Sequence, residues 1–199
     1  MPTFESISLF LEAHALLAYG VLFLGAYFET LIGIGFFVHG EIFFIPGSVA
    51  AGAGLLNIWL VAAAFYGGGI LGDSSSYLIG RRYGNRFFRK EAWIFNLKNY
   101  TRGKLFFEKH GARAVFFARF LGPISWVTPF LAGVYKLPYK KFLPYNVLGV
   151  IGGIGQFIVA GYFFGSNFEA IFALLRDYSL YIVLLLILSI SLYYYLKKK

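Results

Sequence analysis

The chain contains no cysteine, and its acidic residues are few, with 9 Asp and Glu against 18 Lys and Arg. The absence of thiols excludes disulfides and thiolate metal sites. The three histidines, His14, His39 and His110, lack the spacing of metal ligands, so we expect no metal and no cofactor. Ser125 and the serines at 74–76 lack a nucleophile elbow or a paired base, which argues against acyl-transfer chemistry. The sequence therefore predicts a protein that is not an enzyme.

Charged residues of both signs are also scarce, at 14% of the 199 residues, whereas 59% are hydrophobic and 21% aromatic. A soluble domain usually has about a quarter of its residues charged. The many Phe (24), Tyr (15) and Gly (24) residues are typical of helical membrane proteins, in which aromatic side chains line the interfaces and Gly permits close helix packing. We therefore expect an all-α polytopic membrane protein. Its net charge of +9 then sets topology and attracts anionic lipid headgroups rather than nucleic acid.

Apolar segments follow one another along the chain and predict a single membrane domain over residues 1–199. Two of them, 30–56 and 114–133, are interrupted by Gly and Pro, and each is expected to form a re-entrant hairpin. About four spanning helices complete the fold. The predicted order is an interfacial helix (1–12), a first half (13–80), a basic amphipathic connector (81–113), a second half (114–165) and a C-terminal span (178–196).

The orientation of these segments follows from their basic residues. The connector carries ten of the 18 Lys and Arg residues, which places it in the cytoplasm by the positive-inside rule. The two hairpins then open to opposite faces, both termini are cytoplasmic, and no cleavable signal peptide is expected. A shift of 81 residues superposes several glycines, including Gly52 on Gly133 and Gly80 on Gly161. This coincidence favours an inverted repeat.

Acidic residues in the first broken segment are candidate sites of proton or cation coupling. Glu29 and Glu41 are close across a hairpin, and a carboxylate near the centre of a lipid-facing helix costs about 3 kcal/mol or more. Both are therefore expected in a wet or paired interior, where they would share a proton or cation. The alternative for Glu29 is a position in headgroup water at the end of the first span. His39 titrates near neutral pH and is either part of a proton relay or a single hydrogen-bonding histidine.

Two further charges lie in apolar segments of different halves. Arg119 either pairs with a carboxylate, holds a phosphate through its planar guanidinium, or reaches the cytoplasmic face. Asp73 is expected to pair with Arg119, with Arg81 or with Arg82, or to be a helix-end acid beside the basic surface. We include Asp73 with Glu29, Glu41 and His39 among the predicted coupling residues.

Several segments together resemble the DedA family, also called SNARE-associated or VTT-domain membrane proteins. The strongest match is GDSSSYLIGRRYG at 72–84, and the others are FET (28–30), HGE (39–41), AGAGLLN (51–57) and FFARFLGPISWVTPFLAG (116–133). The resemblance covers about residues 13–165. It implies two opposing re-entrant hairpins and a role in moving lipids, with polyprenyl phosphates carried by bacterial members and phospholipids by eukaryotic relatives.

The same resemblance assigns roles to individual residues and exposes two departures. Glu29 and Glu41 match the family's acidic pair, and Arg119 matches the first of two arginines. The second arginine position is Ser125 here, and His39 replaces the family's usual Pro. A protonated His39 would supply a replacement positive charge for a phosphate held at Arg119 and Ser125.

The function expected from the sequence is a flippase of an anionic lipid, either a polyprenyl phosphate or a phospholipid, coupled to protons. The alternatives are an uncoupled phospholipid scramblase and a non-transporting scaffold that recruits partners through the basic connector. The short chain without appended domains favours a prokaryotic plasma membrane. A homo-oligomer is compatible with the sequence.

Overall fold

The computed structural model describes residues 13–35, 37–87, 97–121 and 124–167, which form seven α-helices and no strand. The predicted all-α class is confirmed for these residues. In chain order the helices are α1 (Ala15–Thr30), α2 (Glu41–Gly52), α3 (Ile58–Phe87), α4 (Leu97–His110), α5 (Arg113–Ala118), α6 (Ile124–Val134) and α7 (Tyr139–Ser166). The predicted interfacial helix at 1–12 and the C-terminal span at 178–196 lie outside the described residues.

The sequence between α2 and α3 explains why one helix ends and the next begins there. Gly54 adopts a left-handed conformation (φ +79°), and the N–H of Leu55 donates to the carbonyl of Ala50 at 2.9 Å. This backbone pattern closes a helix C-terminus, and glycine adopts it without a Cβ penalty. Asn57 then caps α3, because its Oδ1 accepts the backbone N–H of Trp59 at 2.9 Å.

Helix α3 has 30 residues and is about 45 Å long at the usual rise of an α-helix. It continues to Phe87 and passes through Gly80, where the sequence-based boundary between first half and connector falls. The glycines at this boundary serve packing rather than helix termination. A Cβ added at Gly80 would collide with the carbonyl of Phe130, and one at Gly84 with the side chain of Val134. The small residues thus let α3 approach α6 closely.

Helices of the two halves exchange equivalent contacts. Helix α2 packs on α7 and helix α6 packs on α3. A Cβ at Gly52 of α2 would strike the carbonyl of Tyr162, and a Cβ at Gly133 of α6 would strike the carbonyl of Tyr77.

The same contacts are seen from the opposite helices. A Cβ added at Gly165 of α7 would meet the backbone of Val49 in α2, and one added at Gly80 of α3 would meet the backbone of Phe130 in α6. Gly80 is therefore equivalent to Gly165, not to Gly161 as the uniform 81-residue shift suggests. The shift of 81 residues relates α2 to α6. The offset that relates α3 to α7 is longer by about one helical turn.

The surface of the described chain is unusually apolar. The side chains of Leu16, Phe37, Trp59 and Val159 are 87%, 86%, 79% and 70% exposed. Within the described residues, α7 alone is both long and apolar enough to cross a bilayer, while α1, α2 and residues 125–134 of α6 are apolar but shorter. Large exposed apolar areas of this kind are expected where lipid, rather than water, covers the protein.

Candidate functional site

A buried ion pair joins the two halves of the chain. Arg119, which directly follows α5, donates from Nη1 to Oδ2 of Asp73 on α3 at 2.8 Å. The two side chains are 8% and 0% exposed. The sequence left several alternatives open for Asp73, and the structure shows the pairing with Arg119. A charged hydrogen bond in such a site is stronger than one in water, but each partner has also lost its hydration.

Glycines of α7 create the space for the arginine stem. A Cβ added at Gly153 would lie 2.7 Å from Cγ of Arg119, which is too close, whereas one at Gly149 would lie 3.5 Å from its Cβ, an ordinary contact. The aliphatic part of Arg119 therefore lies along α7 while its guanidinium reaches α3. This arrangement explains how an arginine can be buried beside an apolar helix without reaching the surface.

The second oxygen of Asp73 faces the amide of Asn146, a buried residue of α7. Oδ1 of Asp73 and Nδ2 of Asn146 are both buried, and neither forms a hydrogen bond within the described part of the chain. Buried polar atoms usually have partners, because leaving one unsatisfied costs about 1–3 kcal/mol. The two side chains are nevertheless close enough for the Asn146 amide to interact favourably with the carboxylate of Asp73.

Glu29, in the last turn of α1, lies next to the ion pair. Its carboxyl group packs against Gly40, where an added Cβ would be 2.7 Å from Cδ of Glu29. Its Oε2 is buried and has no hydrogen-bond partner among the described residues. Arg119, Asp73 and Glu41 are all within electrostatic range of Glu29. Glu29 is thus half-buried at the end of its helix, with one carboxyl oxygen shielded inside the protein.

Trp126 of α6 connects Glu29 with the first broken segment. Its side chain hydrogen-bonds to Glu29, and its ring meets the ring of His39 edge-on with centroids 6.2 Å apart. His39 and Glu41 are themselves exposed. Ser125 is half-buried next to Trp126 and makes no hydrogen bond within the described residues.

The structure thus sorts the predicted site residues into two groups. Glu29, Asp73 and Arg119 form a buried polar site, which we call the inner site. His39 and Glu41 lie at its exposed side, with Ser125 on the opposing segment. The roles predicted for these residues in coupling and phosphate binding remain predictions.

Two members of the site were not identified from the sequence. Trp126 carries no role predicted from the sequence, although an indole N–H inside an apolar segment needs an acceptor. Asn146 was passed over within the apolar span, although an amide there is unusual enough to indicate a buried partner. Both residues were detectable as isolated polar groups, but their partners were not.

The serine run that follows Asp73 connects helices. Ser74 shares a hydrogen bond with the hydroxyl of Tyr139 at 3.1 Å, and Ser75 shares one with the hydroxyl of Tyr27 at 3.2 Å. Ser76 donates to the carbonyl of Thr30 at 3.0 Å and accepts the N–H of Ile32 at 2.8 Å. Each of these three serines thus hydrogen-bonds to another segment of the chain. No cluster of three metal-ligating side chains occurs among the described residues.

The chain is similar in sequence to a known protein family and to known membrane proteins. The VTT domain matches residues 38–163. The chain is 32% identical to Protein DedA of Escherichia coli (strain K12) over 151 residues, which are 74% of this chain and 69% of that protein. It is 34% identical to Inner membrane protein YohD of the same organism over 129 residues, 65% of this chain and 66% of that protein.

A further similarity is to an uncharacterized membrane protein of Synechocystis, with 30% identity over 180 residues, 88% of this chain and 81% of that protein. No solved structure matches the chain. The extent of the VTT match and the membrane proteins among its relatives lead to one assignment. The chain is an integral membrane protein of the DedA family, which carries the VTT domain.

Proposed function

We propose that this protein transports an anionic lipid across the membrane, with a polyprenyl phosphate or a phospholipid as substrate, and that protons are coupled to the movement. The observation that carries the proposal is the inner site. It places Arg119, Asp73 and the partly unpaired carboxyl of Glu29 in the interior of a membrane protein. Ionisable groups at such positions are costly and usually functional.

The membrane arrangement that we propose has two opposing re-entrant hairpins. The first contains α2 with Pro46, and the second contains α5 and α6 with Pro129. The reciprocal packing of α2 on α7 and of α6 on α3 supports an inverted repeat. Transporters built from inverted repeats bind their substrate where broken helices of the two repeats meet. In this arrangement both termini and the basic connector are cytoplasmic, and the membrane is a prokaryotic plasma membrane.

The proposed phosphate ligand is Arg119. A guanidinium has five N–H donors, and within the described residues the only hydrogen bond recorded for Arg119 is the one to Asp73. A phosphate would bind the remaining donors or take the place of Asp73, since both anions fit the same planar group. Ser125 contributes a hydroxyl from the opposing segment.

The proposed coupling residue is Glu29. Its Oε2 has no hydrogen-bond partner among the described residues, and its charge acts on both members of the ion pair. Protonation of Glu29 would change the net charge of the inner site by one unit and thereby change the affinity of Arg119 for an anion. Glu41 and His39, at the exposed side, would pass protons between Glu29 and solvent.

The test is lipid movement in liposomes that contain the purified protein, with labelled polyprenyl phosphate or labelled phospholipid and with or without a pH gradient. We expect gradient-dependent movement of the anionic lipid. Glu29→Gln should abolish the effect of the gradient, and Arg119→Lys should reduce movement at least about tenfold, because the planar fork is lost. Lys104→Gln is the matched control, since Lys104 is exposed and its one ion pair within the described part of the chain is with Glu108 at 3.8 Å.

Other results would favour another function. Equal movement of neutral and anionic lipids without a gradient would indicate an uncoupled scramblase. Full activity of both inner-site variants would refute the site assignment. No movement by a folded protein, together with partner binding that depends on the basic connector, would indicate a scaffold.

A further inference from the structure

A basic pocket lies apart from the inner site. It has a volume of about 540 Å³ and is formed where α4 turns into α5 and where α7 begins. Its charged lining consists of His110 and Arg113 from the first region and Lys140 and Lys141 from the second. Glu29, Asp73 and Arg119 do not line this pocket. It is therefore a separate feature of the molecule.

The cations of this pocket have no counter-charge among the residues that the structure describes. Within that part of the chain, no acidic side chain lines the pocket. Glu108, two residues before His110, pairs with Lys104 at 3.8 Å instead. Among the described residues, no ion pair is found for the arginine and two lysines of the lining. Exposed like charges gathered around one concavity repel each other, and an anion that enters it relieves the repulsion.

The backbone adds donors to the same place. Pro138 precedes α7, and its carbonyl accepts the N–H groups of Lys141 at 2.8 Å and Phe142 at 3.0 Å. The first turn of α7 contains no acidic residue. Its leading N–H groups and the positive end of the helix dipole thus lie at a pocket that already carries three permanent cations and a histidine. The charged side chains and the helix terminus favour the same type of ligand, an anion.

The pocket also has an apolar part. Leu137, Pro138, Pro144 and the ring of Tyr145 line it together with the basic residues. A free inorganic anion makes no use of such a surface. A lipid with a phosphate headgroup does, because its glycerol and proximal acyl carbons can pack there while the phosphate meets the cations.

We propose that this pocket binds the phosphate headgroup of an anionic lipid from the leaflet that adjoins the basic face of the protein. The proposal requires neither transport nor coupling, because the pocket shares no lining residue with the inner site. Its ligand is recognised by three permanent cations, helix N–H groups and a short apolar surface. The lipid is held at the membrane surface, at the junction of α4, α5 and α7.

The experiment measures binding of dioctanoyl phosphatidic acid to the purified full-length protein in neutral detergent, with dioctanoyl phosphatidylcholine and inorganic phosphate as the other probes. The pocket variant is Arg113→Gln/Lys140→Gln/Lys141→Gln. The matched control, Arg82→Gln/Lys104→Gln/Lys109→Gln, loses the same charge outside the pocket. We expect the dissociation constant for phosphatidic acid to rise at least about tenfold in the pocket variant, equivalent to the loss of about 1.4 kcal/mol, and less than about twofold in the control.

Three results would overturn the proposal. One is equal affinity for phosphatidylcholine and phosphatidic acid. Another is inorganic phosphate binding as tightly as phosphatidic acid, which would indicate a site for free phosphate. The third is equal weakening in the pocket and control variants, which would indicate an effect of net charge alone. If the triple variant does not fold, the single variants Lys140→Gln and Lys141→Gln must each weaken binding more than Lys104→Gln does.

Discussion

The ion pair between Asp73 and Arg119 can be tested through stability, independently of any transport assay. The perturbation is a double-mutant cycle of Asp73→Ala, Arg119→Met and the double variant. Each single variant leaves one ionisable group buried without its partner, at sites where the exposed fractions are 0% and 8%. Removal of one member of a buried pair costs about 3–5 kcal/mol, because the remaining charge is not compensated.

The double variant should be more stable than the sum of the two single effects predicts. It leaves no unpaired charge, and the methionine stem still fills the groove along Gly149 and Gly153 of α7. Its cost is then mainly that of lost packing, about 1–3 kcal/mol. The coupling between the two sites is therefore at least about 3 kcal/mol, well above the error of such cycles.

The assay is thermal unfolding of the purified protein in detergent, followed by intrinsic fluorescence. For a chain of this size, 1 kcal/mol corresponds to about 2–4 °C in Tm. The single variants should therefore unfold about 6–20 °C lower than the parent, and the double variant should recover a large part of that loss. Additive effects of the two substitutions, or a loss below about 1 kcal/mol in either, would refute the view that Asp73 and Arg119 compensate each other inside the protein.

Two further predictions use neighbouring residues as controls. Gly153→Ala should lower Tm and lipid movement, because its Cβ would lie 2.7 Å from Cγ of Arg119. Gly149→Ala, whose Cβ would make an ordinary 3.5 Å contact, should raise or preserve Tm through better helix propensity. The reverse order of the two Tm values would contradict the described path of the arginine stem. Ser76→Ala should destabilise the protein by about 1–3 kcal/mol in thermal unfolding, because the buried carbonyl of Thr30 and the partly buried N–H of Ile32 both lose their partner. Ser75→Ala should cost less, since it removes a single, partly buried bond of 3.2 Å; equal costs would show that neither burial nor the number of bonds governs the loss.

The sequence predicted much of the site because charges in apolar segments are few. Glu29, Asp73 and Arg119 stand out by composition alone, and the cost of burying them implies that they meet other polar groups. The pairing of Asp73 with Arg119 is one of the four alternatives that the sequence leaves open. The choice between them depends on how α3 and α7 pack, and no local pattern contains that information.

Other features could not be predicted because they depend on helix contacts. The sequence-based boundary between the first half and the connector follows the onset of basic residues at 81, and it lies inside α3. In the structure Gly80 and Gly84 accommodate α6, and the helix continues to Phe87. The contact of Trp126 with Glu29 likewise joins two segments that are distant in sequence. A glycine weakens an isolated helix but lets a packed helix approach its neighbour closely. Only the position of the partner helix shows which of these two effects applies.

The location of the inner site follows from how the helices divide into two packed groups. Helix α3 packs mainly on α1 and α6, helix α7 packs mainly on α2 and to a lesser extent on α5, and α3 and α7 also contact each other. Within each group, glycines bring backbones into close contact. The Asp73–Arg119 bond crosses from one group to the other, and so does the contact of Glu29 with Gly40.

The charged side chains thus lie where the two groups of helices meet. Close packing excludes them from the interior of each group, and lipid excludes them from the outer surface. Because the ion pair spans this boundary, any ligand that displaces Asp73 from Arg119 must also change a contact between the groups. For a protein that admits a lipid headgroup between two packed units, this boundary is the place where binding and a change of shape can be linked.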